Sequence, residues 1–244
     1  MRKFGIHYVA GMALVAAAGG AQALGFAISY SGNESISVTA VGDGASPGTY
    51  TGGAFTITPN GLDGAWPAYV PAGSFVSYCT QISESFGSSP LSGYSITTSA
   101  NPGGQPPVDG AKLDQLSRLM AFSYSGSGFG PTPTNTQEAA IQAAVWEILY
   151  EPNGTGWGGF DLGTGSFKAA LSIGQSAAFT TISTWVGGGA TLAGPYTPYA
   201  LLTKGGSQDF LVPVPEPEAY GLALAGLGVV AFMLRRRRAA AAAA

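Results

Sequence analysis

The sequence predicts an α+β fold. A strand-rich N-terminal half is joined to a small helical subdomain, between a cleavable N-terminal signal peptide and a C-terminal transmembrane sorting helix. Three observations carry that reading. Short alternating apolar and polar runs with Gly- or Pro-rich turns fill residues 24–91, apolar residues at helical spacing begin only near Leu113, and basic clusters stand at both chain ends beside uncharged apolar stretches. Charged residues make up 9% of the chain, against about 25% in ordinary soluble domains. Hydrophobic residues at 45% and aromatics at 11% nevertheless suffice for a packed core.

Arg2 and Lys3 precede an apolar stretch from Tyr8 to Ala18, and Ala21-Gln22-Ala23 follows. A basic start, an apolar centre and a small-residue exit mark a secretory signal peptide, which predicts removal of residues 1–23 and a mature start at Leu24. At the other end, Ala219 to Leu234 run without a charge and are closed by Arg235, Arg236, Arg237, Arg238 and an alanine tail. That stretch spans about 24 Å as a helix, short for a permanent anchor but enough to insert. The arginines hold its end on the cytoplasmic side and leave the body outside.

Before it stands Val214-Pro215-Glu216-Pro217-Glu218. Two prolines within three residues forbid regular structure and leave an extended strip at the membrane. The chain thus divides into residues 1–23 (signal peptide), 24–212 (exported globular domain), 213–218 (linker) and 219–244 (sorting helix). Pro215-Glu216-Pro217, the short span and the arginine cluster together resemble the PEP-CTERM sorting signal of Gram-negative bacteria that make exopolysaccharide. The resemblance implies an exosortase-type processing enzyme as partner, transient anchoring in the inner membrane through the C-terminal helix, and release to the cell surface or extracellular matrix.

Composition excludes several function classes. Between Leu24 and Glu218 the chain holds Lys112, Arg118, Lys168 and Lys204 against thirteen acidic residues, a net charge of −9. No nucleic-acid partner is expected, because phosphate neutralisation needs a basic face. The single histidine, His7, falls within the signal peptide. The mature protein therefore has no imidazole for a Ser-His-Asp triad or a histidine metal site. No cofactor, no metal and no enzymatic turnover are expected.

Gly154-Thr155-Gly156-Trp157-Gly158-Gly159 satisfies G-x-G-x-x-G but follows a helix instead of a strand, so it reads as a loop. Asn33-Glu34-Ser35 and Asn153-Gly154-Thr155 are glycosylation sequons only in a glycosylating host. Asp43, Asp63 and Asp161 lie in Gly-rich turns whose spacing matches no calcium loop. Carboxylate pairs for glycoside hydrolysis have no support in the spacing.

Strands are expected at Ala54–Thr58 and Ser74–Cys79, with a Pro/Gly loop over Asn101–Gly110. Leu113, Leu116, Leu119, Met120 and Tyr124 then recur at helical spacing, and Gly126 to Pro133 breaks that helix. A second helix runs from Glu138 to Tyr150 before Pro152. Its start offers two capping boxes, Thr134 with Gln137 or Asn135 with Glu138. Ile141, Val145, Ile148 and Leu149 form its apolar stripe with Trp146 beside them. Residues Ser166 to Val186 read as one or two short helices, and Tyr199–Leu202 and Asp209–Val212 as closing strands around Lys204-Gly205-Gly206-Ser207.

An exported chain with one cysteine makes no internal disulfide, so Cys79 is an inert buried thiol, an intermolecular link or a reactive group. Tyr78-Cys79 on a predicted strand and Gln142-Ala143-Ala144-Val145-Trp146 on the capped helix together resemble the thioester domain of bacterial surface adhesins. That family pairs an aromatic-Cys strand motif with a helical T-Q-x-A-I/V-W motif; here Ile141 replaces the threonine. The family's intermediate apolar-Gln motif falls loosely at Leu113–Leu116 around Gln115. The resemblance implies an internal thioester between Cys79 and Gln142, shielded by Tyr78 and Trp146. It further implies covalent attachment to an amine or hydroxyl of a surface or matrix polysaccharide or protein. Without the resemblance, Cys79 reads as a small hydrophobe and Gln142 as a helix-boundary residue, and the protein as a non-covalent component of an exopolysaccharide or biofilm matrix.

Overall fold

The computed structural model describes residues 23–41, 46–61, 66–67, 70–71, 73–82, 84–85, 87–97, 108, 110–124, 128–151, 160–187, 199–213 and 233. Residues 1–22 of the expected signal peptide, most of the expected loop over Asn101–Gly110, residues 152–159, residues 214–218 of the expected linker, the expected sorting helix except Met233, and Asp43 and Asp63 lie outside them. Among the described residues no helix is long and apolar enough to cross a membrane.

The chain runs through β1 (Leu24–Tyr30), β2 (Glu34–Ala40), β3 (Gly48–Gly52), β4 (Phe55–Pro59), β5 (Phe75–Ser77) and β6 (Leu91–Thr97) before its first helix. Helices α1 (Gly110–Ser123) and α2 (Asn135–Tyr150) follow, then β7 (Lys168–Ala170), α3 (Ile173–Gly187), β8 (Tyr199–Lys204) and β9 (Ser207–Pro213). The α+β class and the strand-rich N-terminal half are as expected. A six-stranded antiparallel sheet has the order β5-β4-β1-β6-β8-β9, and a smaller sheet has the order β3-β2-β7.

The large sheet nearly closes on itself. Past the end of β5, the chain swings against β9: Leu211 N–H donates to the Tyr78 carbonyl at 3.1 Å and Thr80 N–H to the Asp209 carbonyl at 3.0 Å. Cys79 is bridged to Phe210 in this seam. The expected strand over Ser74–Cys79 therefore ends its pairing with β4 at Ser77 and changes partner.

Alternation along each strand separates two cores. Phe26, Phe55, Ile57, Tyr94, Leu202, Phe210 and Val212 fill the inside of the large sheet, together with Cys79. Leu201, Leu211 and Tyr78 face the other way and join the helices.

The helices are not a separate subdomain. Every residue of α2 from Glu138 to Tyr150 is buried, and the helix packs against α1, α3, β2 and β3. A helix buried all round has to be enclosed by neighbours, so its sequence stripe understates its contacts. Of the two capping boxes, Thr134 with Gln137 forms: Thr134 N–H donates to Gln137 Oε1 at 2.8 Å, and Gln137 N–H to Thr134 Oγ1 at 3.4 Å. The expected helix over Ser166–Val186 begins only at Ile173. Lys168–Ala170 instead extends the small sheet by pairing with β2, and Ser172 with Gln175 repeats the reciprocal cap that starts α3.

Candidate functional site

The site lies where α2 runs along the closing seam of the large sheet. Residues four apart on a helix share a face, and Glu138, Gln142, Trp146 and Tyr150 make one row. The segment from Tyr78 to Ile82 lies along that row. The Tyr78 hydroxyl donates to Glu138 Oε2, the Gln142 side chain meets Cys79, and Ile82 N–H donates to the Tyr150 hydroxyl at 3.0 Å.

The central pairing is reciprocal. Cys79 N–H donates to Gln142 Oε1 at 3.0 Å, and Gln142 Nε2 donates to the Cys79 carbonyl at 2.8 Å. Successive residues of an extended segment send their backbone groups to opposite edges. The Tyr78 carbonyl and Thr80 N–H are taken by β9, so those of Cys79 point to the other edge, beyond the end of β4. Gln142 occupies that edge as a neighbouring strand would. Its side chain is fully buried with both polar ends paired.

Close approach of α2 requires a bare backbone at the β3–β4 turn. A Cβ on Gly52 would stand 2.1 Å from Ile36 Cδ1 and 3.4 Å from Gln142 Cγ. Gly53 adopts φ +149°, where a Cβ would sit 1.7 Å from the Gly32 carbonyl oxygen.

The two family-like segments are thus brought together. The Cys79 thiol is buried among the aromatics of the inner core, and burial pushes its pKa up. Trp146 lines the same pocket as Cys79, and its Nε1 has no hydrogen-bond partner among the described residues. Tyr78 turns into the helix-facing core, where its hydroxyl lies 2.6 Å from that of Tyr124. Gln115 is half-buried on α1, between the buried Leu113 and Leu116. Gln137, the other glutamine of the helix start, is committed to the cap.

Two groups escaped the sequence reading. Glu138 is buried and accepts from Tyr124 at 3.1 and 3.2 Å as well as from Tyr78; burial raises its pKa, and these two bonds offset part of the rise. Tyr150 closes the far end of the row. The signal for both was available, since Glu138, Gln142, Trp146 and Tyr150 repeat every four residues in a stretch filled, apart from Glu147, with Ala, Ile, Val and Leu.

The pocket, about 270 Å³, opens between the seam and the small sheet; its lining includes Tyr30, Tyr50, Phe55, Gln81, Glu84 and Gln208. Asp161, considered for calcium, accepts from Gly163 N–H at 2.9 Å and from the Thr164 hydroxyl at 3.2 Å within its own turn. Among the described residues no three His, Cys, Asp or Glu side chains converge as metal ligands.

Comparison with known proteins adds the destination of the chain. The PEP-CTERM protein-sorting motif matches residues 213–238, which include Pro215, Glu216, Pro217 and all four arginines. No curated protein and no solved structure matches the chain. The motif marks an exported protein that depends on exosortase for processing at the membrane.

Proposed function

We propose that this exosortase-processed protein forms an internal thioester between Cys79 and Gln142 and uses it once, to attach itself to an amine or hydroxyl of a surface or matrix polysaccharide or protein. It acts as a single-use reactant and not as an enzyme. The observation that carries this reading is the double hydrogen bond between the Gln142 amide and the backbone of Cys79, which seats the amide on the very residue that bears the thiol.

The chemistry follows from that pairing. Cys79 N–H donates to Gln142 Oε1, polarising the carbonyl and stabilising the oxyanion that forms when Sγ attacks Cδ. The S–C bond forms, the C–N bond breaks, and the thiol proton leaves on nitrogen as ammonia. The reaction is intramolecular, so positioning offsets much of the barrier to attack on an unactivated amide. Burial of Gln142, and Trp146 beside Cys79, keep water from the bond. When a partner amine or hydroxyl attacks, Gln142 becomes an amide or ester and Cys79 regains its proton.

Intact mass of the exported protein tests this. The mass should fall short of the sequence by one ammonia. Methylamine should add at Gln142 with release of a free thiol at Cys79, and Cys79→Ala should lose both properties. Gln137→Ala should keep the mass deficit, because that side chain serves the cap. Trp146→Ala should shorten the lifetime of the bond without preventing it.

A second reading has its own observation. The Gln142 amide is already satisfied by Cys79, and the thiol is packed in the aromatic core. On that reading Gln142 is a brace that completes the sheet edge, and the protein is a non-covalent matrix component. A full sequence mass with an alkylatable Cys79 would favour it.

A further inference from the structure

The pocket beside Cys79 carries a statement about which nucleophile enters. Tyr30 stands at its rim, 52% exposed, with Tyr50, Phe55 and Trp146 also in the wall. The polar lining includes Gln81, Glu84 and Gln208, and among the described residues no Lys or Arg contributes. Aromatic surfaces suit the C–H face of a sugar ring, and amide, hydroxyl and carboxylate groups suit its hydroxyls. The volume, about 270 Å³, is near the small end of ligand clefts, which begin at roughly 300 Å³. That suits a single sugar unit.

The charge in the pocket separates an alcohol from an amine. Among the described residues of the lining, Glu84 is the charged one. Behind it Asp209, 2% exposed, is raised to about 6, chiefly by burial and in part by the charge of Glu84. A negative field favours the protonated form of an entering amine, and an ammonium has no lone pair with which to attack. An alcohol is neutral at every relevant pH, and a carboxylate beside it accepts its proton as it attacks.

Resting on the thioester reading above, we propose that this pocket is the acceptor site and that it takes a neutral sugar hydroxyl, with Glu84 as the base. The sugar oxygen bonds to Gln142 Cδ, the C–S bond breaks, and the hydroxyl proton passes through Glu84 to the departing sulfur. Sugar alcohol plus thioester thus gives ester plus Cys79 thiol, with no other reactant. The buried thiol, whose pKa is raised, retains that proton and does not attack the ester in reverse.

The test uses the exported protein with a neutral methyl hexoside and methylamine at equal concentration, read by intact mass and by free-thiol titration. A hydroxylamine-labile hexoside ester on Gln142, formed faster than the methylamine adduct, is the expected result. Glu84→Gln should lower the ratio of hexoside to methylamine adduct about a hundredfold, the scale of a lost general base. Tyr30→Ala, at the exposed rim, should raise the hexoside concentration needed for half-maximal rate. A methylamine adduct alone, or a ratio unmoved by Glu84→Gln, overturns the sugar assignment and leaves the thioester intact. Absence of the ammonia deficit before any probe is added overturns the thioester itself and the ester step with it.

Discussion

The two cores of this protein are built on opposite terms. Inside the large sheet, Phe26, Phe55, Tyr94 and Phe210 meet edge to face or tilted, with ring centroids 4.9–6.1 Å apart, and the apolar packing is joined by little that is polar besides the Cys79 thiol and the Tyr94 hydroxyl. On the helix side, Lys112, Glu138, Gln142 and Glu147 are all buried. Burying such groups is costly unless each finds a partner. A region that retains them has its geometry dictated by hydrogen bonds, and that is where a reactive arrangement can be held. Cys79 belongs to the inner core by its side chain and to the outer one through its Gln142 partner.

The contrast is open to direct attack. Phe210→Ala, in the centre of the inner core, should cost about 3–5 kcal/mol, read from chemical denaturation of the exported protein. Gln142→Ala should cost about 2–3 kcal/mol, because it leaves the N–H and carbonyl of Cys79 buried and unpaired. A loss no larger than that of a surface substitution, about 0.5 kcal/mol, would mean that water or backbone takes over that edge and that hydrogen bonds do not dictate the helix-side core.

Glu147 sharpens the comparison through pH. It is 1% exposed, its Oε2 has no partner among the described residues, and its pKa is raised to about 8, mainly by burial. From about pH 4.3, where a free glutamate ionises, up to about 8, the folded chain keeps a proton that the unfolded chain has released. Stability therefore falls as pH rises through that window and levels off above it. Glu147→Gln should flatten the decline and raise Tm by several degrees at pH 8, with little change at pH 4. The smallest effect is expected at the cap. Thr134→Ala should cost about 1 kcal/mol and leave the mass of the exported protein relative to its sequence unchanged, since Gln142 lies two turns further along.

Much of the fold was legible because its signals are local. The span of α2, its cap choices and the β8–β9 hairpin around Gly205-Gly206 follow from periodicity and turn chemistry. Lys168–Ala170 was not legible as a strand: three residues carry no period, and they are extended because β2 offers an edge. The partner change after Ser77 was hidden for the same reason, since nothing within Ser74–Cys79 marks where the pairing moves from β4 to β9.

The sequence by itself determined the route of this protein: the Pro-Glu-Pro strip and arginine cluster are contiguous and read without a fold, and they match the sorting motif at residues 213–238. It also determined that one cysteine and a glutamine-bearing helix were available. Only the tertiary structure decided that they meet. They stand 63 positions apart, with β6 and α1 between them. Contact then depends on the seam that turns the backbone N–H and carbonyl of Cys79 toward α2 and on Gly52 leaving room for Gln142. Such contact is a property of how faces pack, and no spacing along the chain encodes it.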